Sequence, residues 1–285
     1  MTTVAAALAA AREKLPASEA RLLLGHVLRR SAGWLIAHDD HALDEDGLLA
    51  FASLVARRTA GEPIAYLLKI REFYGRDFAV SPAVLIPRPE TELLVDVVRN
   101  EVMRSGAGGG TTRILDLGTG SGCIAITLAL ECPRAAVTAV DCSAATLEVA
   151  ARNAATLGAE VQFLQSDWFL ALANQRFDVI VGNPPYIAAG DPHLARGDLR
   201  HEPAGALASG ADGLDAIRHI IATAPEYLAS NGSLWMEHGY DQAETIAELL
   251  AASAYTSIEQ HRDLAGIVRV SGGRRPRGAE QHKHL

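Results

Sequence analysis

From Arg113 onward, short apolar runs alternate with longer stretches of helical period, and this alternation limits the fold more than any other feature of the chain. Strands are expected at 113–118, 136–141, 161–166, 177–182, 232–237, 255–261 and 266–271, and helices at 122–131, 144–157, 213–229 and 241–252. Strands separated by helices make a mostly parallel sheet with helices on both faces. The last two strands are joined by Asp263-Leu264-Ala265-Gly266, a connection short enough to require antiparallel pairing. In open sheets of this kind ligands bind outside the carboxyl ends of the strands.

The residues at those ends carry chemistry. The run Phe177–Gly182 leads into Asn183-Pro184-Pro185-Tyr186. Two prolines cannot donate ladder hydrogen bonds, so the sheet stops there and leaves an amide, a rigid turn and an aromatic ring at a strand end. Ile114–Cys123 is a strand running into Gly118-Thr119-Gly120-Ser121-Gly122 and then a helix. The glycines let backbone approach a ligand. The spacing G-x-G-x-G departs from the dinucleotide fingerprint, which needs glycine where Cys123 stands. Asp116, Asp141 and Asp167 tip three successive strands, and Asp167 is followed by Trp168 and Phe169. A carboxylate at the second strand end suits ribose hydroxyls. A polar edge beside an aromatic at the third suits adenine. Each acid alone could be a helix N-cap. Together they describe an adenosine-bearing ligand with an amino-acid end near Asp116 and no pyrophosphate, which is S-adenosyl-L-methionine. Asp116 would serve its ammonium or orient the glycine loop.

The remainder of the chain supplies a second domain. Helices are expected at Val4–Leu15, from an N-cap at Ser18, and from about Asp44 to Arg58, with Leu23, Leu24, Phe51 and Val55 inward. Residues 1–80 thus form a helical bundle and hairpin linker, either a folding cap or a module that docks a partner. Residues 81–271 form the sheet domain, with a flexible hinge at 105–110 before its first strand, and 272–285 a loose polar tail carrying Arg274, Arg275 and Arg277. Trp34 and Trp235 are expected in the core. Glu237 and His238 close a strand at the cleft edge and His201 lies near another; a ligand role is not expected for the histidines.

Bulk properties narrow the function. The chain has 285 residues, is 49% hydrophobic and 21% charged, and carries a formal charge of -8. That balance argues against general phosphate attraction to long nucleic acid. The cysteines (Cys123, Cys132 and Cys142) lack metal-ligand spacing and read as reduced thiols. Arg12, Glu13 and Lys14 interrupt any signal-peptide core, and no apolar run reaches the length of a membrane span, so a cytoplasmic protein without membrane contact is expected.

Asp116–Gly122 resembles motif I of the class I methyltransferases, and Asn183–Tyr186 their amino-methylating motif. Arg71–Gly75, Leu85–Glu92, Asp167–Phe169, Glu202-Pro203 through Gly210, Asp212–Leu214 and Asp263–Gly266 resemble the release factor glutamine methyltransferases, the PrmC/HemK family. The resemblance runs from residue 1 to about 271. It implies a Rossmann-like class I fold and a substrate: the glutamine of the Gly-Gly-Gln motif in class I peptide chain release factors, methylated on its side-chain nitrogen, in a ribosome context. Direct DNA binding and a metal are not expected. Departures are Lys69 and Ser166, where glycine is expected, and Gly182, often serine or alanine.

The residues themselves suggest the handling of a planar NH2. The Asn183 oxygen accepts one hydrogen bond from it, the Pro184 carbonyl the other, and Tyr186 packs on the amide plane, with Pro185 stiffening the turn. That chemistry also suits adenine N6 or guanine N2, so a nucleic-acid amino-methyltransferase is the rival reading. A non-catalytic binding protein and a nicotinamide dehydrogenase stand further off.

Overall fold

The protein is described from a computed structural model, which covers residues 1–105 and 110–276. The expected hinge falls largely on 106–109 and most of the expected tail on 277–285, both outside the described residues.

Two compact units make up the chain: Met1–Arg71 with Ala195–His201, and Glu72–Leu194 with Glu202–Leu285. The first unit is helical: α1 (Val4–Arg12), α2 (Ala17–Leu28), α3 (Ala32–Ala37), α4 (Glu45–Thr59) and α5 (Ile64–Leu68). Its core gathers Val4, Leu8, Leu23, Leu24, Leu35, Phe51 and Leu67. Thr3 and Asp44 cap α1 and α4 through side-chain oxygens, satisfying amides that a helix start leaves open. Ser18 does not cap α2; it lies inside that helix, which begins after Pro16. The short α3 and α5 escaped the sequence reading, because one or two turns show little period. Trp34 is half-buried: it packs against the edge of this core and stacks on His38 with ring centroids 4.4 Å apart. Segment 195–201 belongs to this unit because Arg58 binds both Glu19 (2.7 Å) and Asp198 (2.8 Å), and Arg200 donates to the Ala60 carbonyl (2.8 Å). A partner so distant in sequence has no local signal.

The second unit opens on a two-stranded sheet, β1 (Ile70–Phe73) with β2 (Arg76–Ala79), whose first residues lie at the division. Then come α6 (Glu92–Ser105), β3 (Arg113–Leu117), α7 (Cys123–Glu131), β4 (Ala136–Asp141), α8 (Ala144–Leu157), β5 (Val161–Gln165) and β6 (Phe177–Gly182). They are followed by α9 (Asp215–Thr223), β7 (Leu228–Glu237), α10 (Ala243–Ala252), β8 (Thr256–Arg262) and β9 (Val268–Arg274). The seven strands from β3 to β9 form one sheet in the order β5-β4-β3-β6-β7-β9-β8. Within this sheet the described pairings of β9 are antiparallel and the others parallel. Alternate residues face two cores, as the strand period requires. Ile114, Val179, Val181 and Trp235 pack with α6 and α7 residues; Leu115, Ile180, Leu234 and Met236 pack with Ile217 and Ile220 of α9 and Ile246 of α10. The helix expected at 213–229 ends at Thr223, because Pro225 lies in a 3-10 turn and β7 begins at Leu228. No helix among the described residues is long and apolar enough to cross a membrane.

The expected tail is corrected at its start. Gly272, Gly273 and Arg274 belong to β9, opposite Trp235, Leu234 and Ser233. A side chain at Gly272 would run into the Leu234 carbonyl and the Trp235 ring, so glycine here serves close strand packing. Arg274 pairs at 2.8 Å with the buried Glu101, which also accepts from Ser233 Oγ (2.9 Å) and Trp235 Nε1 (2.6 Å). Replacing Glu101 by alanine takes this acceptor from Ser233 and Trp235 and leaves Arg274 only the Asn231 carbonyl, at 3.2 Å. We expect a loss of about 3–5 kcal/mol, read as a lowered urea midpoint of the full chain.

Candidate functional site

The strand order reverses between β3 and β6, and both run parallel with Leu117 opposite Gly182. The glycine turn after β3 and Asn183 after β6 therefore emerge side by side. A cleft of about 330 Å³ opens there, within the size range of small-ligand sites. Its floor includes Gly118, Gly120, Asp141, Asp167, Trp168 and Asn183, with Pro184 and Pro185 beside them. Asp116, Thr119, Ser121, Gly122 and Tyr186, also expected at the site, do not line it.

Those outside the cleft shape it. Asp116 is fully buried; its Oδ2 accepts from Thr119 Oγ1 (2.7 Å), while Oδ1 has no partner. Burial pushes this carboxyl up to about 7, against the Thr119 hydrogen bond. The hydrogen bond from Thr119 lets it pin the glycine turn. The Thr119 amide donates to the Val140 carbonyl (2.9 Å), which ties the turn to β4. Gly118, Gly120 and Gly122 all have positive φ, at 67°, 57° and 83°. Gly122 is a packing residue: an added Cβ would lie 2.7 Å from Ile126 and 3.2 Å from Ala150. At Gly120 an added Cβ would meet nothing within 4 Å. The Ser121 backbone carbonyl accepts from Asn153 Nδ2 at 2.9 Å, so Ser121 joins the turn to α8.

Asp141 reaches the cleft while bracing it. Its Oδ2 accepts from the Gly120 amide (3.1 Å) and its Oδ1 from the Ser143 amide (3.0 Å). Burial raises its carboxyl and these amides oppose the rise. Each oxygen keeps a second acceptor site for a ligand hydroxyl. Asp167 is exposed at the cleft edge, and Trp168, at φ 48°, turns its indole to 3.6 Å from the Cβ position of Gly118. Ser166 holds that turn, donating to the Trp168 carbonyl (2.9 Å) and accepting from the Ala171 amide (3.0 Å).

At Asn183, Nδ2 donates to Thr91 Oγ1 (3.2 Å), and no described residue donates to Oδ1. Tyr186 lies behind: its hydroxyl donates to Glu237 Oε1 (3.4 Å) and its carbonyl accepts from Gln242 Nε2 (2.9 Å). Burial raises the Tyr186 hydroxyl pKa and pushes the Glu237 carboxyl up to about 7. His238 is fully engaged, with Nδ1 at 2.8 Å from the Gly239 carbonyl and Nε2 at 2.8 Å from Ser271 Oγ. Gly182 fits because a Cβ there would lie 2.9 Å from the Leu117 carbonyl.

Two walls were not foreseen as such. Ala83–Leu85 form one and Pro203, Gly205 and Ala206 the other. Buried Glu202 clasps them, accepting from the Ile86 amide (2.9 Å) and from the Arg88 guanidinium. Thr91 was also missed; its position between Glu90 and Glu92 in a proline-entered turn was the available signal. Glu92 itself is structural, accepting from the Tyr74 amide at 2.8 Å. Among the described residues no group of His, Cys, Asp and Glu is placed to hold a metal.

Comparison with known proteins agrees with this architecture. Residues 1–68 match the PrmC N-terminal domain and residues 89–199 the methyltransferase small domain. A release factor glutamine methyltransferase of Bordetella pertussis is 53% identical over 91% of this chain and 95% of its own length. Another from Xylella fastidiosa is 46% identical over 97% and 99%. Among solved structures, the catalytic domain of hMettl16 in complex with an RNA hairpin has a TM-score of 0.56 at 15% identity, covering 77% of this chain and 81% of that one. The T. thermophilus 16S rRNA methyltransferase RsmC in complex with AdoMet and guanosine gives 0.52 at 21%, covering 72% and 49%. At such identities these structures bear on fold alone.

The glycine turn yields a paired prediction. Gly122→Ala should destabilise by more than 1 kcal/mol through overpacking on α7 and α8. Gly120→Ala, with open space around it, should cost only about the 1 kcal/mol of a positive φ. Urea titrations of both variants check the order.

Proposed function

The chain belongs to the release factor glutamine methyltransferases, and we propose that it transfers a methyl group from S-adenosyl-L-methionine to the side-chain amide nitrogen of the Gly-Gly-Gln glutamine in class I peptide chain release factors. The observation that carries the site assignment is the Asn183 amide. Its nitrogen is committed to Thr91 and its oxygen is free at the rim of the same cleft that Gly118, Asp141 and Trp168 line.

These residues fit the methyl donor. The open side of Gly120 gives backbone room for its amino-acid end, and the spare acceptor sites of Asp141 suit two ribose hydroxyls. Asp167 with Trp168 suits an adenine edge and face. Bound there, S-adenosyl-L-methionine supplies a methyl group made electrophilic by its sulfonium.

The protein then has to prepare a poor nucleophile, because an amide lone pair is delocalised. Asn183 Oδ1 and the Pro184 carbonyl accept the two N–H hydrogens and draw electron density to the nitrogen. The rigid Pro184-Pro185 turn fixes their direction. Alignment of two reactants can contribute about 7–11 kcal/mol. Once methylated, the nitrogen is acidic and sheds its proton to solvent, so no base is required beforehand.

The N-terminal unit is assigned to substrate docking. It matches a domain model of its own and exposes Leu22, Ile36 and Leu49. A cytoplasmic setting, with the release factor met free or on the ribosome, suits this reading. The retained rival is methylation of adenine N6 or guanine N2, since the same acceptors suit any planar NH2.

Labelled S-adenosyl-L-methionine offered with release factor, DNA and ribosomal RNA decides between them. Label is expected on the release factor glutamine, and label on nucleic acid alone refutes the assignment. Asn183→Ala should retain cofactor affinity and lose about two to three orders of magnitude in kcat. Asp141→Ala should instead weaken cofactor binding about ten- to hundredfold, read by calorimetry.

A further inference from the structure

The turn that carries Asn183 is fixed at its entry by β6, where Gly182 lies opposite Leu117. Its exit is at Tyr186, and Pro184 and Pro185 between them have no N–H with which to tie the turn down. Gln242, 56 positions away in sequence, holds the exit: its Nε2 donates to the Tyr186 carbonyl at 2.9 Å.

Gln242 stands at the start of α10, where a polar side chain ordinarily caps the helix. Here it makes no cap hydrogen bond. It is 8% exposed, and its Oε1 turns back to accept from the Gly239 amide at 2.8 Å. A backbone N–H only donates and a backbone carbonyl only accepts. One orientation of the Gln242 amide satisfies both partners; half a rotation would set donor against donor and acceptor against acceptor. The side chain is locked in direction as well as in place.

The platform under it is rigid. The Gln242 amide donates to the Gly239 carbonyl at 3.2 Å, closing the 239–242 turn on itself. His238 Nδ1 donates to the same carbonyl at 2.8 Å. Burial lowers the pKa of this ring, which keeps it neutral, so Nε2 accepts from Ser271 Oγ of β9 at 2.8 Å. On the other side of the Tyr186 carbonyl lies Gly213. Its φ is 80°, and an added Cβ would lie 2.2 Å from that oxygen and 3.0 Å from Gln242 Nε2. Asp212 holds the glycine there by accepting from the Leu214 amide at 3.1 Å. The Asp212-Gly213-Leu214 segment, which has no part in the transfer itself, is thus the second jaw of a clamp on one carbonyl.

We propose that Gln242 is a positioning residue for methyl transfer: by gripping the Tyr186 carbonyl against Gly213 it fixes the exit of the Asn183–Tyr186 turn, and with it the aim of Asn183 Oδ1 and the Pro184 carbonyl at the substrate NH2. This rests on the reading of those two oxygens as the acceptors of that NH2. With its exit loose, the turn swings about its entry, and a misplacement of about 1 Å can cost about a hundredfold in rate. The contacts assigned to the methyl donor at Gly120, Asp141 and Trp168 follow other strands, so its affinity does not depend on the clamp.

The test uses the full-length enzyme, labelled S-adenosyl-L-methionine and release factor. Gln242→Met keeps the length of the side chain and removes both hydrogen bonds; Gln242→Ser is polar but too short to reach Tyr186. With folded enzyme counted by the stoichiometry of cofactor binding, each should lower kcat tenfold or more. The KM for release factor and the cofactor dissociation constant should stay within about threefold of wild type. A role in stability alone would lower the urea midpoint and leave kcat per folded molecule intact. Because Gln242 acts through the turn, adding Gln242→Met to Asn183→Ala should cost less than it costs the wild type. Wild-type kcat in either Gln242 variant overturns the proposal. So does a loss confined to KM or to cofactor affinity, or a double variant whose loss is the full product of the single ones. Failure of the underlying assignment would look different: Asn183→Ala would retain activity, or the wild-type enzyme would leave the release factor unlabelled.

Discussion

The parallel pairing of β3 with β6 is the contact on which the rest of the second unit depends. It puts Leu117 opposite Gly182, so the two strands end level and release their following segments into one space. Because the strand order reverses here, helices leave on opposite faces and the crevice between them stays open. Gly182 is part of that arrangement, since a side chain would press on the Leu117 carbonyl. The glycine turn and the Asn-Pro-Pro-Tyr turn are each rigid, one through a hydrogen bond from Thr119 to buried Asp116, the other through two prolines. Two stiff turns held at one sheet register define a distance between two ligands without any flexible element at the point of reaction.

Around that crevice the protein keeps acids that an apolar core would not. Glu101, Asp116, Glu202 and Glu237 are all buried. Their surroundings divide them. Glu101 and Glu202 are each met by an arginine and further donors, and they fasten strands and walls. Among the described residues Asp116 and Glu237 have no such arginine at contact distance, each retains one oxygen without a partner, and each is raised to about 7. Both stand directly behind the turns that face the cleft. An incompletely satisfied buried carboxyl costs free energy, and these two are placed where orientation of a neighbouring hydroxyl is the return.

Much of this was legible in the chain. The β/α alternation gave the sheet and its antiparallel edge, because apolar period is a local property that burial enforces. The strand-end positions of Asp141, Trp168 and Asn183 followed from counting along each strand, and all three line the cleft. Local pattern misled where side-chain size was decided by a distant neighbour. The glycine-rich stretch after 271 reads as loose, yet Gly272 is a β9 residue pressed against Trp235. Gly122 reads as part of a ligand cradle, and its lack of a side chain also lets α7 and α8 approach, which no local pattern indicates.

What the sequence determined by itself was the order of elements, the class of sheet and the chemistry at each strand end, since these depend on residues close together in the chain. What only the tertiary structure decided was which of those residues touch. Thr91 meets Asn183 across 92 positions and Tyr186 meets Glu237 across 51, and no period links either pair. The same holds for Glu202 closing on Arg88 across 114 residues. Hydrogen bonds between buried polar groups are fixed by where the fold brings donors and acceptors, so the site's identity was written in the chain and its wiring in the packing.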